Sequence, residues 1–151
     1  MYQKVLVPLD LSELAECSLN YIKKFAQEGS LGEVVLLSVV ETDPTWDDMV
    51  TGFDIDAFRD MIKNKAETYL TQIKSRLAAE GISVQPEVVE AANPAHAIAD
   101  YARDNGIDLI IIASHGYSGL KKLMFGSVAF NVLTLSRVPV LLIRPESCQI
   151  L

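Results

Sequence analysis

The sequence predicts an α/β fold: a single doubly wound domain whose five-stranded parallel sheet carries helices on both faces. Three observations support this. Short apolar runs alternate along the chain with segments of helical periodicity. The run at residues 109–113, LIIIA, is unbroken by any polar residue, as in a strand covered on both faces of a parallel sheet. That run enters a glycine-bearing loop and then a helix start, and open α/β sheets hold their ligands at such carboxyl ends.

Each element follows from local chemistry. Residues 4–8, KVLVP, form the first strand. Ser12 can cap a helix that buries Leu14, Ala15, Leu19, Ile22, Phe25 and Ala26 on one face, and Gly29 lies just past its end. Residues 33–40 are the second strand. Phe58, Met61, Ile62, Tyr69, Leu70, Ile73 and Leu77 mark a long amphipathic helix that Gly81 closes. Residues 84–89 are the third strand, after which Asn93 and Pro94 supply a cap and a first helical residue, and Gly106 ends that helix. The fourth strand is 109–113. A final helix begins after Gly126 at Ser127, with Val128, Ala129, Val132 and Leu133 on its apolar side, and Val140–Ile143 is the last strand. No repeat and no linker interrupts the chain, so one domain over residues 1–151 is expected.

Composition narrows the function classes. With 13 Lys and Arg against 20 Asp and Glu, the net charge of −7 disfavours nucleic acid or an anionic membrane as the main partner. Any phosphate must therefore be held locally, by backbone amides. The first residues pass directly into a strand with no signal-peptide pattern, and no apolar run is long enough to span a bilayer, so a cytoplasmic location is expected. Cys17 and Cys148 show neither metal-ligand spacing nor a disulfide framework, and a packed Cys17 with a free Cys148 is the expectation. The acid-rich segment from Glu41 to Asp60 matches no calcium-binding loop and reads as a solvated connection. Walker A, dinucleotide-fingerprint and nucleophile-elbow motifs are all missing, which removes the usual NTPase, dehydrogenase and hydrolase readings.

The glycine loop has a recognisable spacing. Gly116 is followed by nine residues and then by Gly126-Ser127, and the position three before Gly116, where a further glycine would complete the pattern, holds Ala113. Together with KVLVPLD and SELAE near the start and VPVLLIRP near the end, this resembles the universal stress protein family in its nucleotide-binding branch. The resemblance covers nearly the whole chain. It implies a Rossmann-like sheet of order 3-2-1-4-5, in which the first and fourth strands flank the switch point and Pro8, Leu9 and Asp10 meet Ile112, Ala113 and Gly116 across one crevice.

Site roles follow from residue chemistry and from the resemblance. Asp10 is a candidate acceptor for adenine or ribose, its alternative being a turn residue, and the resemblance places Val39 main chain at the adenine edge. Gly116 and Gly126 allow close backbone approach to phosphate, Ser127 offers hydroxyl and N–H, and Val128 offers N–H. Ala113 adds a methyl on the ribose side, which is expected to weaken affinity without removing the site. His115 pairs with no recognisable nucleophile and reads as structural, and Lys121 and Lys122 read as solvated.

The function expected is that of a cytoplasmic stress-response protein binding ATP or AMP, with Mg2+ or Mn2+ as a possible companion, and acting as a nucleotide-dependent switch on an unknown downstream protein. The alternative is a slow ATPase or self-phosphorylating enzyme in the same pocket, and a third reading is an interaction domain with an empty pocket. No catalytic residue is assigned. An apolar edge strand, from Val138 to Arg144, invites pairing with its own copy, and the resemblance implies the same homodimer.

Overall fold

In the computed structural model, residues 1–42, 54–114 and 127–144 are described. The strands are β1 (Tyr2–Pro8), β2 (Leu31–Glu41), β3 (Val84–Ala91), β4 (Leu109–Ala113) and β5 (Val140–Ile143). The helices are α1 (Ser18–Gln27), α2 (Ile55–Ala79), α3 (Pro94–Asp104) and α4 (Ser127–Leu135), and a short 3-10 turn, Ala15–Cys17, precedes α1. All strand pairs are parallel, in the order β3-β2-β1-β4-β5. This is the doubly wound arrangement expected.

Alternate residues of the sheet feed two separate cores because successive side chains leave a strand on opposite faces. On one face Val5, Val7, Val34, Leu36, Leu109 and Ile111 meet Leu19 and Ile22 of α1 and Leu70, Ile73 and Leu77 of α2. On the other, Leu6, Val35, Leu37, Ile110 and Ile112 meet Ala95, Ile98 and Ala102 of α3 and Ala129 and Val132 of α4. Coverage on both sides is why the central strands read as continuous apolar runs.

Helix ends obey local chemistry. The Asn93 side chain accepts from His96 N at 3.1 Å with Pro94 as first helical residue. At the end of α2, Gly81 adopts φ +80°, which lets Gly81 N donate to Ala78 O and Ile82 N to Leu77 O, and the chain then turns the buried Ile82 inward. Asp108 fastens β1 to the head of β4: its carboxylate accepts from Gln3 N at 2.7 Å and Lys4 N at 3.1 Å, and its own N–H donates to Lys4 O.

Several expectations need correction. The second and third strands extend past the residues expected, β2 beginning at Leu31 and β3 running to Ala91. The long helix, marked in the sequence by its apolar residues from Phe58 on, begins at Ile55, where Asp54 caps it by accepting from Ala57 N at 3.0 Å. Asp54 and Asp56 therefore belong to a helix start, where acidic side chains are favoured by the helix dipole, and Asp60 lies further along the same helix. Leu14 and Met61 are exposed rather than core residues, since the first precedes α1 proper and the second projects beyond the sheet cover. On α4 only Ala129 and Val132 are buried, while Val128 and Leu133 are exposed. A helix over a sheet edge has only a narrow stripe of neighbours beneath it. Cys17 packs at the margin of the first core and is disulfide-bonded, not a free thiol. Pairing depends on Cβ separation in the folded chain, which sequence spacing does not carry. Cys148, and residues 43–53 of the acid-rich connection, lie outside the described residues.

Candidate functional site

The crevice originates in how β1 shares its two neighbours. Its register with β2 runs to Pro8↔Leu37, and Leu9 N continues it by donating to Leu37 O at 2.8 Å. Its register with β4 comprises Val5↔Leu109 and Leu6↔Ile110. Above that level β4 stays with β5, through Ala113↔Ile143 and a bond from Ser114 N to Ile143 O at 2.7 Å. The chain leaving β1 enters α1 on one face, and the chain leaving β4 reaches α4 on the other. The two strand tips are thus drawn apart, which is the topological switch point where open α/β sheets bind ligands.

At this carboxyl edge the structure brings together most of the expected site residues. Pro8 and Leu9 are buried at the end of β1, so they contribute backbone to the crevice rather than side chain. Asp10 follows at the surface, with its carboxylate exposed. Val39 is half-buried near the end of β2, paired with Val89. Ile112 and Ala113 are the buried last residues of β4. Because α4 runs antiparallel to the strands it connects, its first residues, Ser127 and Val128, return to the same edge and are exposed there. Free N–H groups at a helix start suit an anion. Gly116 and Gly126 lie outside the described residues, as do His115, Lys121 and Lys122.

The turn after β1 contains chemistry that the sequence reading assigned only to a helix cap. Leu11 adopts φ +68°, a left-handed conformation that costs a non-glycine residue about 1–2 kcal/mol. The reversal places Ser12 over Asp10, and both Ser12 N, at 3.0 Å, and the Ser12 hydroxyl donate to Asp10 Oδ1. Ser12 Oγ in turn accepts from Ala15 N at 3.1 Å, a bond within the turn that leads into the 3-10 segment, so Ser12 does not cap α1, which begins at Ser18 with no side-chain cap. An aspartate with a hydrogen-bonding residue two positions on is an Asx-turn signal that would have revealed the pair.

A second cluster was not visible in the sequence at all. Tyr69 of α2 donates to Glu16 Oε1 at 2.9 Å, and Arg76 sits 3.6 Å from the same carboxylate, tying α2 to the turn that follows β1. Burial raises the Tyr69 pKa well above the ordinary phenol value, the bond to Glu16 and its charge raise it further, and the Asp10 charge adds to this. The partners are 53 residues apart, beyond any local pattern. An open depression of about 220 Å³ lies alongside, between the outer sides of α1 and α2. Its cations are already engaged, Lys23 with Glu80 at 2.6 Å and Arg76 with Glu16. Among the described residues no group of three or more His, Cys, Asp or Glu is arranged to hold a metal ion, and no helix is long and apolar enough to cross a membrane.

Comparison with known proteins agrees with this architecture. The model of the universal stress protein family matches residues 1–144. Universal stress protein MJ0577 of Methanocaldococcus jannaschii is 34% identical over 160 residues, covering 97% of this chain and 98% of that one. Its solved structure aligns with a TM-score of 0.77 over 95% of this chain and 96% of the other. Universal stress protein YxiE of Bacillus subtilis is also 34% identical, over 95% of this chain and all of its own length. A universal stress protein family member from Arabidopsis thaliana, solved with AMP bound, shares the fold at 17% identity, with a TM-score of 0.66 over 94% of this chain and 91% of its own.

Proposed function

The chain belongs to the universal stress protein family, and from that premise we propose that it is a cytoplasmic stress-response protein that binds ATP or AMP and acts as a nucleotide-dependent switch on a downstream protein. The whole chain, residues 1–151, serves as one nucleotide-binding domain. One observation carries the reading. The switch-point crevice has an exposed carboxylate, Asp10, on one lip and the exposed start of α4, with Ser127 and Val128, on the other. A carboxylate accepts hydrogen bonds and repels phosphate, whereas a helix start attracts phosphate, so a nucleotide fits with its nucleoside at Asp10 and Val39 and its phosphates at Ser127. Gly116 and Gly126 complete the phosphate side, and Pro8, Leu9, Ile112 and Ala113 form the floor. Mg2+ or Mn2+ would arrive bound to the phosphates. The AMP-bound relative supports a fold able to accept an adenine nucleotide.

The direct test is to denature the purified protein and identify what it releases by mass spectrometry. Adenine nucleotide is expected in the supernatant, or, if purification strips it, heat on titration with ATP in the micromolar-to-millimolar range. Silence in both experiments refutes the reading. Hydrolysis is expected to be slow, below about one turnover per second, since the sequence carries no motif that positions a group to activate water against the terminal phosphate. Phosphate release above that rate, lost in Ser127→Ala, would favour the enzyme alternative.

Assembly follows from the sheet edge. β5 is the last strand in the sheet, with Val140, Leu141 and Leu142 only half-buried. Beside it α4 exposes Phe130, Leu133 and Leu135. A two-fold partner pairing its own last strand, from Val138 to Arg144, antiparallel with this one closes the edge and covers apolar surface at once. Light scattering after size exclusion should report two chains, and Leu142→Lys should give monomer or precipitate. A monodisperse wild-type monomer at tens of micromolar, roughly where specific homodimers persist, rejects the arrangement.

A further inference from the structure

We propose that Ser12 is a positioning residue for nucleotide recognition, holding the Asp10 carboxylate in the orientation that receives the nucleoside; the inference rests on the nucleotide reading above. Ala15 N donates to Ser12 Oγ at 3.1 Å, and the Ser12 hydroxyl, committed by that contact to donating its own proton onward, reaches Asp10 Oδ1. Ser12 N adds a second bond to the same oxygen at 3.0 Å. Two donors from one residue thus converge on one carboxylate oxygen, and the left-handed backbone at Leu11 makes that convergence possible. Such a bend in a leucine persists only where the surrounding bonds hold it.

The consequence lies in what the site selects. Asp10 stands at the surface, where an aspartate without partners would sample several rotamers and binding would have to order it. Ser12 performs that ordering before the ligand arrives. An ionised carboxylate is acceptor-only, so the ligand group it receives must be a donor, a ribose hydroxyl or the adenine amino group. Ser12 therefore acts on the nucleoside half of recognition and leaves the phosphate half alone.

The test is a double-mutant cycle on the full chain, with Ser12→Ala, Asp10→Ala and the pair, read by calorimetry with ATP and, separately, with inorganic tripolyphosphate. Ser12→Ala should weaken ATP roughly three- to tenfold, the span of one hydrogen bond. In the Asp10→Ala background, where no side-chain oxygen is left to accept from Ser12, the same change should cost less than about twofold, because its effect passes through the carboxylate. Ser12→Thr, which keeps the hydroxyl, should restore ATP affinity, and tripolyphosphate should bind all variants alike. The inference falls if Ser12→Ala binds ATP as wild type does, if its penalty persists in the Asp10→Ala background, or if tripolyphosphate weakens by the same factor. In each of these cases wild type still binds ATP and the nucleotide reading stands. Wild type that fails to bind ATP defeats both.

Discussion

Gly126→Val is expected to abolish ATP binding while the protein remains folded. Ser127 is the first residue of α4, so its N–H and that of Val128 are among the amides that the helix leaves without internal partners. A phosphate oxygen must come within about 3 Å of such an amide to bond with it. On the proposed reading, a branched side chain on the preceding residue would occupy space through which that oxygen must approach, whereas glycine carries no side chain. Loss of two or three charge-assisted bonds, each worth about 1.5–3 kcal/mol, lowers affinity by a factor of roughly a hundred or more. Calorimetry and a thermal melt on the same sample check this together. Equal ATP binding by a variant that melts as wild type does would show that phosphate goes elsewhere.

Gly32→Ala is expected to lower stability by about 2–4 kcal/mol, at the severe end for a single added methyl. Gly32 faces solvent on one side, yet the direction its Cβ would take is filled by backbone: Gln3 O at 2.3 Å, Gln3 C at 2.9 Å and Tyr2 O at 3.0 Å. No flexible side chain can move aside. The start of β1 must shift, and with it the Tyr2 N–H bond to Ser30 O and the grip of Asp108 on Gln3 N and Lys4 N. For a chain of this length the melting temperature should fall by roughly 5–15 °C. Calorimetric melting within about 2 °C of wild type would mean that the two strands separate there at little cost.

Much of the site was legible because its parts are local. The apolar run 109–113, the glycine spacing after it and the Asp10 position are each readable within a few residues, and the proposed phosphate side rests on a helix start at Ser127 that is equally local. Asn93 and Pro94 announced α3 in the same way, since a cap is a bond between residues three apart. The role of Ser12 was read as a helix cap, whereas its hydroxyl bonds Ala15 N in the turn before the 3-10 segment and also bonds Asp10. The aspartate two positions before Ser12 is the local signal for those bonds, whereas the left-handed turn at Leu11 between them is foretold by no preference of leucine.

The sequence by itself determined the kinds of element, the strand at 109–113 and the strand Val140–Ile143, and the family; from periodicity it also determined which faces were apolar. Only the tertiary structure decided which apolar positions are covered. Met61, Val128 and Leu133 carry the same hydrophobic pattern as Leu70 and Val132, but among the described residues they are exposed while those two are buried. It alone also decided the bond between Tyr69 and Glu16, the disulfide at Cys17 and the backbone contact at Gly32. The reason is physical. Periodicity and caps are set by interactions across a few residues, whereas burial, long-range bonds and close backbone approach are set by whatever the fold brings alongside, and that is a property of the packed sheet rather than of any segment in it.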